Sequence, residues 1–78
     1  MKKIEVLGTG CSGCRALFET VTRAVGEMSL EATVSKEENL ERIISFGVMA
    51  LPALVVDGRV VSAGRRLSLD EVKALLAR

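Results

Sequence analysis

Several amino-acid types are missing or scarce in this sequence, and each absence argues against a class of function. The chain has no tryptophan or tyrosine, and aromatic residues make up 3% of it. It therefore lacks the stacking surfaces on which proteins hold single-stranded nucleic acid. Lysine and arginine number 11 against 10 acidic residues, and no basic run is longer than two residues. Since nucleic-acid-binding domains concentrate positive charge, we expect no nucleic-acid partner.

Long apolar runs are also missing. The first ten residues, MKKIEVLGTG, contain two lysines, but the apolar stretch behind them is short and is interrupted by Glu5. This pattern differs from that of a secretory signal peptide. No stretch approaches the roughly 18 apolar residues of a membrane-spanning helix. We expect a protein without membrane contact, in the cytoplasm by default.

Length and composition predict a single domain. The chain has 78 residues, of which 49% are hydrophobic. A chain of this size has room for one small core, and its apolar content is too high for intrinsic disorder. No linker, repeat or low-complexity tract divides the chain, so one domain is predicted to cover residues 1–78.

Four segments have the pattern of β-strands. Residues 3–7 and 30–34 alternate between apolar and polar side chains. After Pro52, residues 53–63 read ALVVDGRVVSA, which is two β-rich runs around Asp57-Gly58. Because an Asp-Gly pair suits the left-handed backbone of a two-residue turn, these runs are predicted to form a hairpin.

Three segments have the apolar period of a helix. The first runs from Ser12 to about residue 27, with an apolar stripe of Cys14, Leu17, Phe18, Val21, Val25 and Met28. The second follows the capping-box spacing of Ser35 and Glu38, ends near Gly47 and has an apolar face of Leu40, Ile43 and Ile44. The third follows the same spacing at Ser68 and Glu71, and its stripe is Leu69, Val72, Leu75 and Leu76.

The predicted order of elements is β-α-β-α-β-β-α. A strand, a helix and a following strand form a right-handed parallel unit, and a terminal hairpin extends the same sheet in antiparallel fashion. The predicted fold class is therefore α/β, with a four-stranded mixed sheet flanked by three helices.

Residues 7–14 read LGTGCSGC, which satisfies two chemical patterns at once. One is the G-x-G-x-x-G of a dinucleotide-binding turn, formed by Gly8, Gly10 and Gly13. That fold needs a larger sheet than 78 residues supply, and the acidic residue that would bind a ribose has no clean counterpart at Val34, where Ser35 and Lys36 follow. We expect these glycines instead to allow a sharp turn from strand to helix and to leave space beside the cysteines.

The second pattern is the C-x-x-C of Cys11 and Cys14. Side chains three residues apart on a helical turn are neighbours, so the two sulfurs can bridge. Cys11 stands at the predicted helix start, where unpaired backbone N–H groups and the helix dipole favour a thiolate. Cys14 heads the apolar stripe and should be more buried. This asymmetry separates an attacking thiolate from a resolving thiol, as thiol–disulfide exchange requires.

Other interpretations of the two cysteines remain open at this point. With no histidine in the chain, they can supply half of a zinc site that a second subunit completes, or they can be an inert buried pair. A copper-chaperone domain also carries C-x-x-C after its first strand, and two thiolates suit Cu(I). Such domains run β-α-β-β-α-β, however, whereas this chain is predicted to finish on a helix.

GTGCSGC after the first strand, followed by GVMALPALVVDGRVV, resembles the thioredoxin superfamily, in particular its small redox-active disulfide proteins. The resemblance covers essentially the whole chain and implies a minimal thioredoxin fold. It also implies a thiol–disulfide oxidoreductase of the protein-disulfide reductase type, or an electron carrier, with no cofactor beyond the Cys11–Cys14 disulfide. By the same resemblance Pro52 follows a cis bond beside the disulfide, the Leu51 backbone pairs with substrate, and Gly10 contributes to the same substrate-binding site.

The resemblance also implies the partners of the protein. Departures from the family pattern leave the redox potential and the use of glutathione open. A disulfide reductase is expected as electron donor, a disulfide in a protein or small molecule as substrate, and a monomer as the working state. Ser12-Gly13 and Leu51 replace residues that are common in relatives, so the redox potential is left open. In glutaredoxins the segment after the last strand usually contains acidic residues. Here Arg65 and Arg66 follow Gly64, and this basic pair either meets glutathione or lies in a solvated loop.

Overall fold

The computed structural model describes residues 1–9 and 12–78, and the predicted roles of Gly10 and Cys11 fall outside the described residues. The described part contains seven elements in the predicted order. Its strands are β1 (Lys2–Leu7), β2 (Ala32–Glu37), β3 (Ala53–Val56) and β4 (Arg59–Ala63). Its helices are α1 (Ser12–Met28), α2 (Leu40–Ser45) and α3 (Leu69–Leu76).

The four described strands form one sheet in the order β2-β1-β3-β4. β1 is parallel to β2 and antiparallel to β3, and β3 is antiparallel to β4. The α/β fold class, with its mixed sheet and three helices, is therefore confirmed. Leu7 at the end of β1 stands opposite Ala53 at the start of β3. This register brings the chain that leaves β1 beside the chain that enters β3.

Hydrophobic side chains cover both faces of the sheet, because neighbouring residues of a strand point to opposite sides. One face packs against α1 and α3 around Ile4, Val6, Leu17, Val21, Ala24, Leu54, Leu67, Val72 and Leu76. The other packs against α2 and the segment that follows it, around Leu7, Ile43, Ala53 and Val55. The partly buried members of the predicted α1 and α3 stripes, such as Phe18 and Leu69, pack against the first cluster.

The Asp57-Gly58 hairpin is confirmed. Asp57 has a φ of 51° and Gly58 a φ of 80°, the pair of positive values that a type I′ turn requires. Asp57 also ties the turn to β1, because its Oδ1 accepts a hydrogen bond of 2.8 Å from the Lys3 N–H. The residue types of the turn and its hydrogen bond with β1 therefore favour the same hairpin geometry.

The prediction that Ser35 begins the second helix is wrong. β2 spans Ala32–Glu37 rather than residues 30–34, and Ser35 lies within it opposite Glu5. Pairing with β1 continues to Glu37, so the backbone at Ser35 is extended. The helix begins later, where Asn39 is the N-cap and its side chain accepts a hydrogen bond of 3.1 Å from Arg42 N–H. The capping box at Ser68 and Glu71 is confirmed.

The predicted apolar face of α2 is only partly buried. Ile43 is 3% exposed, whereas Leu40 is 58% and Ile44 65% exposed. α2 has six residues, fewer than two helical turns, so it rests on the sheet through one side chain. No helix within the described ranges is long and apolar enough to cross a lipid bilayer.

Candidate active site

The candidate site lies where β1 ends and α1 begins. Gly8 follows β1, and its N–H donates a hydrogen bond of 3.0 Å to the Glu37 carbonyl. This bond extends the β1–β2 pairing by one residue. Cys14 then lies in the first turn of α1 and is 6% exposed. Its burial agrees with its predicted place at the head of the apolar stripe.

Cys14 is part of a disulfide in this structure. The only other cysteine of the sequence is Cys11, and the predicted roles of Cys11 and Gly10 lie outside the described residues. Assignment of Cys11 as the attacking thiol therefore stays a prediction. The described half of the motif is a buried, oxidised sulfur at the start of a helix.

Gly8 is essential to this geometry for a reason that the sequence did not reveal. A Cβ built on Gly8 collides with Cys14 Sγ and lies 2.7 Å from Cys14 Cβ. Gly8 does not share the positive φ of Gly47, Gly58 and Gly64, so no left-handed backbone requires a glycine there. It is a glycine because the cysteine side chain occupies the space where a side chain would begin.

Pro52 lies against the same helical turn. The Leu51–Pro52 peptide bond is cis. A Cβ built on Gly13 lies 3.7 Å from Pro52 Cδ, which is ordinary van der Waals contact. The structure thus brings Pro52 close to the residue just before Cys14, although 39 positions separate them in the chain. Gly13 was expected to leave space beside the cysteines, and this space faces Pro52.

Leu51 has an anchored side chain, whereas its backbone polar groups make no hydrogen bond with the described residues. The side chain is half-buried and packs against the cluster beneath α2. Within the described residues, neither the N–H nor the C=O of Leu51 makes a hydrogen bond. An anchored residue with unpaired backbone groups can bind an extended peptide by adding it as a strand.

The loop after β4 is attached to the Pro52 segment. The Gly64 N–H donates a hydrogen bond of 2.8 Å to the Pro52 carbonyl. Gly64 has a φ of 71°, and a Cβ built on it lies 2.6 Å from Ala50 Cβ. Sequence reasoning noted Gly64 only as the residue before Arg65 and Arg66. In the sequence, only its position directly after a β-rich run indicates that the backbone turns at Gly64.

On the face of the sheet that packs against α2, a buried carboxylate forms an ion pair. Glu5 is 5% exposed and forms an ion pair of 3.1 Å with Arg42, which also pairs with Glu37 at 2.5 Å. A buried charge needs such a partner, because its removal from water costs free energy. These ion pairs tie α2 to β1 and β2. The sequence analysis treated Glu5 only as an interruption of an apolar run and missed this contact.

The metal-site alternatives receive no support from the described residues. No group of three or more His, Cys, Asp or Glu side chains within residues 1–9 and 12–78 is placed to hold a metal ion. Soft-metal sites of zinc or copper need additional ligands around the thiolates.

A mixed sheet that leads into a helix with an oxidised cysteine in its first turn defines a redox protein of the thiol–disulfide class. The family model described as "Thioredoxin domain" matches residues 2–77, and the chain belongs to this family. It is 38% identical over 77 residues to a thioredoxin of Methanothermobacter thermautotrophicus, covering 99% of this chain and 100% of that protein. It is 32% identical over 73 residues to a thioredoxin of Methanocaldococcus jannaschii, covering 94% and 84%. The chain is thus a thioredoxin-type redox protein, and the resemblance in its sequence is confirmed.

Proposed function

We propose that this protein reduces disulfides in protein partners or small molecules by cycling Cys11 and Cys14 between dithiol and disulfide. The observation that carries the proposal is Cys14, oxidised and buried in the first turn of α1 beside Gly8. The family and its two archaeal relatives support the same chemistry.

The reaction transfers two electrons and two protons. The Cys11 thiolate attacks one sulfur of the substrate disulfide, a mixed disulfide forms, and the first substrate thiol leaves. The Cys14 sulfur, deprotonated, then attacks Cys11 Sγ, closes the Cys11–Cys14 disulfide and releases the second substrate thiol. A disulfide reductase, or a small dithiol in the test tube, returns the two electrons and restores the reduced protein.

The burial of Cys14 supports its role as the resolving thiol. A sulfur that is 6% exposed and packed against Gly8 is poorly accessible to an external disulfide, but it can react with a neighbour in the same turn. The mixed disulfide should therefore form on Cys11.

The substrate groove is proposed to lie along Gly10, Leu51 and Pro52. Unpaired backbone groups of Leu51 would bind an extended segment on either side of the substrate disulfide. Main-chain pairing accepts many sequences, which suits a reductase with several partners. We further propose that the protein works as a monomer in the cytoplasm, where thiols are kept reduced.

Trapping of the mixed disulfide tests the order of attack. Cys14→Ser should accumulate a mixed disulfide with an oxidised two-cysteine peptide, because the second step is blocked, while Cys11→Ser should accumulate little. Intact-mass spectrometry under non-reducing conditions measures both adducts. Equal adducts on the two variants would contradict the assigned order.

The wild-type protein provides the control for the chemistry itself. Mild oxidation of the reduced protein should lower its mass by two hydrogen atoms, that is two protons and two electrons, and dithiothreitol should restore them. Two thiols that survive the oxidant in the native protein would overturn the oxidoreductase proposal. A mass increase equal to a bound metal ion would favour the metal-binding alternative.

A further inference from the structure

Exposed arginines lie close in the chain to residues of the candidate site. Arg15 directly follows Cys14 in α1, and Arg65 and Arg66 follow Gly64 in the loop between β4 and α3. All three side chains are exposed. They come from two separate parts of the chain, and each part approaches the Pro52 segment.

Two contacts hold these arginines near Pro52. The Gly64 N–H bonds to the Pro52 carbonyl at 2.8 Å, which fixes the start of the loop that carries Arg66 two residues later. The first turn of α1, which carries Arg15, comes close to Pro52 at Gly13, because a Cβ built there would lie 3.7 Å from Pro52 Cδ. Pro52 is thus the common neighbour of both basic segments.

The three arginines differ in whether an acidic side chain forms an ion pair with them. Arg65 forms an ion pair of 3.0 Å with Glu71, whose other carboxylate oxygen accepts the Ser68 N–H. The side chains of Arg15 and Arg66 make no ion pair or hydrogen bond with any described residue. Two guanidinium groups near the site are therefore left without an internal counter-charge among residues 1–9 and 12–78.

The acidic residues Glu19 and Asp70, both among the residues that the structure describes, form no ion pair with these arginines. Glu19 lies four residues beyond Arg15, one helical turn farther from the start of α1, and forms no ion pair within the described part of the chain. Asp70 lies in the first turn of α3, four residues after Arg66, and is likewise unpaired among the described residues.

We infer that the protein selects disulfides that carry carboxylates close to the sulfur atoms, and that Arg15 and Arg66 are the specificity-determining residues. The inference rests on the proposed oxidoreductase function. Charges at the rim of a site act mainly on the rate of encounter, by attracting a partner of opposite sign. The carboxylate can belong to an acidic residue beside a protein cysteine or to a small anionic disulfide.

Three dialkyl disulfides of matched length test the inference. Dithiodipropionate is anionic, hydroxyethyl disulfide is neutral and cystamine is cationic, and each has two carbons between sulfur and the end group. For each disulfide, the rate of the variant is divided by the rate of wild type, so differences in intrinsic reactivity cancel. The reduced protein is used at about 0.1 M ionic strength, where charges more than about 10 Å apart are screened.

Arg66→Glu should slow reaction with dithiodipropionate about threefold and accelerate reaction with cystamine by a similar factor, leaving hydroxyethyl disulfide unchanged. Arg15→Glu should act in the same direction. Arg59→Glu is the matched control, because it makes the same change in net charge at an exposed residue near the opposite end of β4. Five residues of extended chain place Arg59 roughly 16 Å from Gly64, beyond the screening distance.

Each outcome decides a different question. If wild type reduces none of the three disulfides and neither of the peptides in the second arm, the proposed function fails. If it reduces all three but Arg66→Glu and Arg15→Glu change every rate equally or not at all, the charge selection is overturned and the function stands. An Arg59→Glu variant that matches Arg66→Glu assigns the effect to net charge and also overturns the inference.

A second arm separates the two sources of carboxylate. Two oxidised peptides that differ only in an Asp or a Lys beside the cysteine replace the small disulfides. Faster reduction of the Asp peptide by wild type, lost in Arg66→Glu, identifies acidic protein segments as substrates. Discrimination among the small disulfides alone identifies a small anionic disulfide. The absence of discrimination in both arms contradicts the inference.

Discussion

Gly8 shows how the lack of one side chain shapes the candidate site. Cys14 can lie in the first turn of α1 and remain buried because the residue at the end of β1 has no Cβ. Gly64 meets a similar demand against Ala50, where a positive φ adds to the requirement for glycine. These two glycines fix, respectively, the position of the sulfur and the approach of the basic loop.

Substitution of Gly8 tests this role. Gly8→Ala should lower the free energy of unfolding of the oxidised protein by about 1–3 kcal/mol, because the added methyl group collides with buried atoms of Cys14. Urea unfolding followed by circular dichroism measures the change. Gly26→Ala is the control, since a Cβ there has no atom within 4 Å and should stabilise α1 by about 0.5–1 kcal/mol. A Gly8→Ala variant as stable as wild type would contradict the collision.

At the scale of elements, the same sequence spacing leads to two different structures. Ser35 and Glu38 match Ser68 and Glu71 letter for letter in a capping box, yet only the second pair caps a helix. Ser68 directly precedes α3, an eight-residue helix with apolar side chains at helical spacing. Ser35 instead lies within β2, which pairs with β1 as far as Glu37. Hydrogen bonds with a neighbouring strand override a weak local signal.

Two alanine substitutions measure this difference. Ser68→Ala should lower the free energy of unfolding by about 1 kcal/mol, because the Glu71 N–H loses its acceptor at 3.1 Å. Ser35→Ala, at an exposed position of β2, should change it by less than about 0.5 kcal/mol. Chemical denaturation of both variants at neutral pH gives the comparison. Equal losses would mean that Ser35 has a structural role that its strand position does not explain.

At the scale of the whole molecule, charges join elements that are far apart in the chain. Glu27 at the end of α1 pairs with Lys73 of α3 at 2.6 Å and with Arg23 at 2.7 Å. The hydrogen bond from Lys73, followed by the one from Arg23, lowers the pKa of Glu27 below its ordinary value of 4.5. The backbone N–H of Ser68, followed by its hydroxyl, likewise lowers the pKa of Glu71. Both carboxylates favour the folded state while they are charged.

These shifts predict loss of stability in acid. A carboxyl whose pKa is lower in the folded than in the unfolded protein contributes stability above the unfolded value of 4.5, and loses it as the pH falls through the folded value. The urea midpoint should therefore fall between about pH 5 and about pH 2, and Glu27→Gln should make that fall shallower. Glu31→Gln, at an exposed residue without an ion pair in the described part of the chain, should leave the slope unchanged. Parallel pH curves for wild type and Glu27→Gln would contradict the assignment.

The sequence by itself determined the features that depend on residues close together in the chain. The order of elements, the Asp57-Gly58 turn and the Ser68 cap follow from hydrophobic period and local hydrogen bonding, and the structure confirms them. The burial of Cys14 also follows locally, from its place on the α1 stripe. The contact of Pro52 with the first turn of α1 was expected only from the family resemblance.

Tertiary structure alone decided the contacts between residues far apart in the chain. Glu5 and Arg42 are 37 positions apart, and Gly64 meets Pro52 only because β3 and β4 pair beside β1. The space that Gly8 leaves for Cys14 depends on the angle at which α1 leaves the sheet. Such contacts arise from strand register and helix packing, which hydrophobic period and spacing in one sequence do not encode. This is the physical reason why the fold class was predictable, whereas the close packing around the sulfur and the basic loop beside Pro52 were not.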